Sequence, residues 1–322
     1  MKKHLVILSL FLLSVSFISC SNRETVFSND PENILDESSI LKGKVSGMLT
    51  LEHSPYRVRG EIEVDSLSTL TIEPGVSLYF SDSSRLVVKG KLIAQGSKDI
   101  PVVFTTDNDA AHWHGIQFVH SKGTSSLSFA IIEKITITMN DIEDIGAVTM
   151  DYSSVTIHNS IIRQNTSPEG GGIYLRNSKC EIKNSIFMGN QSDIFGGAVL
   201  AYVSDLVFMN NTVYKNSTQN YGGGLVIWEP VSSLVENNIF YRNSGRTGTP
   251  GIAIKGDASK SLITYNYEAF GLNAPPSFVS ETDLHLSEDS PCINNGDPGL
   301  VYNDLDNSRN DQGAYGGPLG NW

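Results

Sequence analysis

An all-β solenoid of parallel β-helix coils is the fold class this chain predicts, and three observations predict it. The first is a block written four times: NSIIRQN from Asn159, NSIFMGN from Asn184, NTVYKNS entered through Asn210, and NNIFYRN from Asn237. The second is a set of asparagines, Asn165, Asn190, Asn216 and Asn243, that keeps the same intervals of 25, 26 and 27 residues. The third is a glycine cluster after each block, followed by apolar alternation, as in Gly170-Gly171-Gly172-Ile173-Tyr174-Leu175 and Gly222-Gly223-Gly224-Leu225-Val226-Ile227. Self-similarity at a fixed period of this size marks a solenoid, in which each repeat buries its apolar face against its neighbours.

Within a repeat, apolar and polar residues alternate over short runs such as Val155-Thr156-Ile157, Cys180-Glu181-Ile182 and Leu206-Val207-Phe208, rich in β-branched and aromatic side chains. That is strand chemistry. A turn of about 25 residues, at roughly 3.3 Å per strand residue, holds three such strands and three corners. Asparagine tolerates the left-handed backbone and glycine adopts it without steric cost, so both suit corners. Asparagines stacked at one corner of successive coils pass amide hydrogen bonds up a ladder, and Asn165, Asn190, Asn216 and Asn243 are expected to do so.

The chain begins with a charged start, Lys2-Lys3, an apolar run from Leu5 to Phe17, and Ile18-Ser19-Cys20. This run is shorter than a membrane span and reads as a secretory leader. Phe17-Ile18-Ser19-Cys20 resembles a bacterial lipoprotein box, which implies lipidation at Cys20 and anchoring at the outer membrane or cell surface. It departs from the usual pattern at Phe17 and Ile18. Residues 21–40 are polar and acidic and read as a tether; coils are expected over 41–264 and a capping segment over 265–322.

Without the leader, 21 basic residues face 35 acidic ones. Such a balance repels nucleic acid and anionic lipid, so nucleic-acid binding is not expected, and contact with the membrane should run through the lipid anchor alone. A monomer is expected. Cys180 alternates with Ile182 on an inward face and reads as a small hydrophobe; a disulfide to Cys292 is left open.

Residues 41–106 carry less regular early coils, the first of which, around Val45 to Val64, should cover the open end of the solenoid. His112-Trp113-His114-Gly115-Ile116 opens the next. The recurring glycines Gly115, Gly146, Gly172, Gly197, Gly224 and Gly251 are spaced 31, 26, 25, 27 and 27 apart, so an insertion lies between the first two. From Tyr265 the repeat fades into a turn-rich tail that closes with SPCINNGDP (290–298) and GAYGGP (313–318).

These repeats and closing motifs together resemble the right-handed parallel β-helix repeat proteins of bacterial surfaces, which share the pectate-lyase-like fold. The resemblance covers nearly the whole chain after the leader. It implies the fold, whereas activity varies among proteins that share it: lyases, glycoside hydrolases, adhesins and proteins of no known activity.

Three groups of residues could carry chemistry. Alternation turns Tyr174 and Arg176 outward and, in later coils, Val199 and Ala201, Val226 and Trp228, and Ala253 and Lys255. Stacking at about 4.8 Å then places Tyr174, Arg176, Trp228 and Lys255, with Tyr202 beside them, on one face. Aromatic surface beside cations suits a polysaccharide or cell-surface glycan, and non-catalytic carbohydrate binding or adhesion is the leading reading. A second group, Glu143, Glu169 and Asp193, lies ahead of the glycines on one corner. Carboxylates there would serve a polysaccharide lyase or glycoside hydrolase, the competing reading. Asp304, Asp306 and Asp311 are spaced like an abbreviated calcium loop, making calcium the one cofactor to test. His112, His114 and His120 form a histidine cluster with no third ligand at a known spacing.

Overall fold

The computed structural model describes residues 39–106, 112–141, 145–269 and 274–322. Lipidation at Cys20, most of the tether, and Glu143 fall outside these residues. The body is a right-handed parallel β-helix whose named strand ladders all run parallel. One face stacks Arg85–Val88, Ile116–Val119, Val148–Asp151, Ile173–Arg176, Val199–Tyr202, Leu225–Trp228 and Ile252–Lys255. The second is a nine-stranded sheet running from Gly47–Leu49 to Ser261–Thr264. The third runs from Ser77–Phe80 through Ile161–Arg163, Ile186–Met188, Thr212–Tyr214 and Ile239–Tyr241 to Tyr267–Ala269.

The expected three strands per coil become four in the later coils. Thr166–Glu169, Gln191–Phe195, Ser217–Tyr221 and Ser244–Thr247 form a separate four-stranded sheet. These segments escape a hydrophobic reading because they ride outside the main core: in Gln191–Phe195 only Ser192 is buried.

Inward residues stack by type. Phe187, Phe208 and Phe240 are all buried, with ring centroids 5.7 and 6.2 Å apart in succession. Cys180 lies in this core, Cys292 in a second apolar cluster outside the third face, and both are free thiols.

Polar ladders satisfy the corners. Asn165 Nδ2 donates to Asn190 Oδ1 at 3.0 Å, Asn190 Nδ2 to Asn216 Oδ1 at 2.9 Å, and Asn216 Nδ2 to Asn243 Oδ1 at 3.0 Å. A second ladder, invisible as a single residue type, runs through Ser160, Ser185, Asn211, Asn238 and Asn266, each taking the backbone N–H of the residue one coil earlier. The left-handed backbone is located elsewhere. Asn159, Asn184, Asn210 and Asn237 adopt it, with φ of 49°, 48°, 50° and 59°.

Those four side chains point outward and hold the tail. Asn159 Nδ2 donates to Leu319 O at 2.8 Å, Asn184 Nδ2 to Gly316 O at 2.6 Å, and Asn210 Nδ2 to Asp311 O at 2.9 Å, while Asn237 Oδ1 accepts from Asp297 N at 2.8 Å. The tail therefore runs back along the flank as a strap and covers the outer side of the third face, burying Ile186, Tyr214, Ile239 and Tyr241.

Candidate functional site

Strand register decides which outward residues share a line. Arg176, Tyr202, Trp228 and Lys255 are partners in consecutive coils, with Asp151 preceding them. The outward expectation for Val199 and Ala201 is corrected. They pair with Ile173 and Leu175 and are buried in the core, so Leu200 and Tyr202 take the outward places. Ala198 stands where the neighbouring coils have the third glycine of the cluster, so counting from the last glycine slips the alignment by one residue, and a one-residue slip exchanges the two faces of a strand.

Tyr174 is turned outward but is only 6% exposed. It joins Leu200, Val226 and Ala253 in a satellite apolar cluster over which Ile145, Phe195 and Tyr221 pack. Burial first, then the neighbouring Glu169, pushes the Tyr174 hydroxyl up to about 12. Tyr174 is therefore floor, not contact surface.

Above this floor sits an aromatic group. Lys255 Nζ lies 4.2 Å from the Trp228 ring centroid and 5.1 Å from those of Phe195 and Tyr221. Phe195 meets Trp228 edge to face at 5.0 Å, and Tyr202 does the same at 5.6 Å. All five side chains are half-buried. Arg176 differs: its Nε and Nη2 hold both oxygens of Asp151 at 2.8 and 2.7 Å, a bidentate pair that raises the guanidinium pKa further.

Phe195 and Tyr221 were not singled out from sequence, though a signal existed. Each directly precedes its glycine cluster, at the position Glu169 holds one coil earlier, and the register confirms Glu169, Phe195, Tyr221 and Thr247 as successive partners.

The same register separates the acidic group. Phe195, not Asp193, stacks beside Glu169, and Asp193 accepts from Gln219 Nε2 at 2.7 Å. Burial raises the pKa of Glu169. The stacked carboxylate line is thus corrected for Glu169 and Asp193: with Ser167 paired to Ser192 and Glu169 to Phe195, Asp193 falls ahead of the Glu169 level with the bulge or without it.

The calcium expectation at Asp304, Asp306 and Asp311 finds no support: among the described residues no group of three or more His, Cys, Asp or Glu is placed to hold a metal ion, and backbone and hydroxyl donors bind these carboxylates. Asp304 accepts from Asp311 N and Gly317 N, Asp306 from Ser308 N and Oγ, and Asp311 from Asn294 N at 2.6 Å. Burial, with the Asp304 charge adding to it, lifts the Asp311 carboxyl to about 6. His112 is exposed, His114 Nε2 lies 3.7 Å from Asp141, and His120 stacks on Tyr152 at 4.9 Å.

The fold and its ladders define a right-handed parallel β-helix repeat protein. Within that class the chain belongs to the NosD family, described as periplasmic copper-binding protein, which matches residues 58–269. The family's periplasmic description supports an exported protein. A metabotropic glutamate receptor-like protein R of Dictyostelium discoideum is 25% identical over 185 residues, 53% of this chain but 11% of that protein. No solved structure matches.

Among the described residues, no group of three or more His, Cys, Asp or Glu side chains is placed to hold a metal ion. Burial raises the pKa of both thiols, Cys292 up to about 12, which disfavours the thiolate a metal requires. His158 is held by Glu181 at 3.0 Å, and His285 by Asp283 at 2.6 Å. The described residues do not fit copper.

Proposed function

We propose that this chain is an exported, lipid-anchored β-helix protein that binds carbohydrate without transforming it, through Tyr202, Trp228, Lys255, Phe195 and Tyr221. The observation that carries this reading is the convergence of three rings on one ammonium in a rigid sheet. Lys255 is held by ring faces, and no carboxylate among the described residues forms an ion pair with it, so its N–H donors remain available to saccharide hydroxyls or carboxylates. Ring edges and the apolar surface of Tyr202 and Trp228 supply the complement to a pyranose. Arg176, closed by Asp151, orients the rim.

The test is a panel of acidic and neutral polysaccharides, with calcium and with chelator, followed for unsaturated uronates, new reducing ends and affinity. Binding without product supports the reading. Trp228→Ala should weaken that binding at least tenfold, equivalent to about 1.4 kcal/mol, with an unchanged unfolding curve. Retained affinity in that variant would reject the strip. Product formation would move the protein among the lyases or hydrolases, with Glu169 the first residue to replace by glutamine.

A further inference from the structure

The corner between the first and second faces carries a groove of about 580 Å³. Five successive coils line it, from Ser121 through Tyr152, Asn177 and Asp205 to Val231, so at about 4.8 Å per coil it follows the solenoid axis for roughly 19 Å. Its backbone amides are already taken. Tyr152 N, Asn177 N and Val203 N donate to Arg176 O, Tyr202 O and Trp228 O one coil on, at 3.1, 3.2 and 2.9 Å. Ser121 N, Ser153 N and Ser178 N donate to the serine hydroxyls of the next coil, at 3.1, 3.0 and 3.1 Å. What stays open is side-chain chemistry. The Asn177 amide, the Lys179 ammonium and the Asp205 carboxylate line the groove, and among the described residues none of these three groups has a hydrogen-bond or ion-pair partner, although Lys179 and Asp205 are register partners. Tyr152, 54% exposed, adds a flat apolar wall, backed by the His120 ring at 4.9 Å and nearly parallel. Ser121 Oγ, also in the lining, is enclosed and has no hydrogen-bond partner. The corner residues Tyr152, Asn177 and Val203 have φ of 46°, 47° and 47°; for β-branched Val203 this is strained backbone, of the kind that collects at ligand sites.

We propose that this groove is a second binding site, for a linear neutral oligosaccharide lying along the solenoid axis. A polymer of identical units matches a wall that repeats with every coil. An extended peptide joins a sheet through backbone hydrogen bonds, and the amides here are engaged. A saccharide is held by side chains instead: amide, ammonium and carboxylate for its hydroxyls, and an aromatic ring for its apolar face. Lys179 and Asp205 set one positive charge beside one negative, so a charged polymer finds no net complement in the lining. The groove starts one residue past Arg176 and Tyr202, around the corner from the outward side where Lys255 meets Trp228. It goes beyond the strip and holds with or without it.

Each site holds a lysine, Lys179 in the groove and Lys255 in the strip, so amine acylation reports on them separately. The purified protein is mixed with short linear fragments of β-1,4-glucan, mannan, xylan and galactan, treated with an N-hydroxysuccinimide ester, and the acylation rate at each lysine is read by mass spectrometry. At least one fragment should slow Lys179 several-fold. Tyr152→Asn and Asn177→Gly, both suited to the left-handed backbone, should each weaken that protection about tenfold with an unchanged unfolding curve. A Lys179 that no fragment slows overturns the groove, as does protection that survives in both variants. Slowing at Lys255 alone overturns the groove and keeps the strip, whereas slowing at Lys179 alone keeps the groove and removes the strip. Tighter protection by oligogalacturonate than by any neutral fragment overturns the assignment of a neutral ligand. Protection of Lys179 by an unstructured peptide and by no saccharide overturns the proposal in favour of a peptide groove.

Discussion

Asn190 has no solvent to turn to. It is wholly buried; its Oδ1 accepts from Asn165 Nδ2 and Asn165 N, while its Nδ2 donates to Ile162 O at 2.8 Å and Asn216 Oδ1 at 2.9 Å. Asn190→Ala leaves Asn165 N and Ile162 O without the amide that bonds them, at about 1–3 kcal/mol each unless water enters, while Asn165 Nδ2 and Asn216 Oδ1 keep Ile132 O and the residue-190 N–H. Urea unfolding should show a loss of several kcal/mol, and a loss below 1 kcal/mol would mean the ladder is ornament. At this scale the sequence was informative because an asparagine at a constant interval is rare enough to notice. The mixed Ser160-Ser185-Asn211-Asn238-Asn266 ladder performs the same task and was not noticed, since two residue types broke the pattern.

The coil is the next scale, and the glycine clusters set its spacing. A methyl group at Gly197 would lie 2.3 Å from Gly223 O and 2.6 Å from Ser217 O in the next coil, distances that no rotamer relieves because both are backbone atoms. Gly197→Ala should therefore force two coils apart and cost about 1–3 kcal/mol or more. Calorimetry on that variant checks it; an unshifted melting temperature would show that the coils can slide. The fourth strip belongs to the same scale. From it Phe195 and Tyr221 pack on Tyr174, Leu200, Val226 and Ala253, and this turns an ordinary outward line of residues into buried floor.

For the whole molecule, a solenoid is a sum of coil stabilities and interfaces, so it tolerates local opening. The strap departs from that scheme by bonding coils that are far apart in sequence: Asn159 to Leu319 and Asn184 to Ala314 span 160 and 130 residues. A chain lacking residues 274–322 should expose Tyr214, Tyr241 and Ile239 as a contiguous apolar patch, bind hydrophobic dyes and associate. Light scattering and dye fluorescence measure this, and a truncated protein that stays monomeric and dark would show the third face to be self-sufficient.

By itself the sequence determined the fold class, the period, the glycine corners and the inward stripe. These are repeated in every coil, and repetition turns a weak local preference into a strong signal. It also marked Arg176, Tyr202, Trp228 and Lys255 as a set, because strand alternation and coil spacing are short-range rules. Tertiary structure alone decided which of them meet. Ala198 stands where the neighbouring coils carry a third glycine, and the register through it sets Val199 and Ala201 in the core, while a bulge between Ser167 and Glu169 brings the Phe195 ring beside Glu169. The strap, too, was invisible: its contacts with Asn159, Asn184, Asn210 and Asn237 have no period, and nothing in a turn-rich tail states which side of a solenoid it will follow.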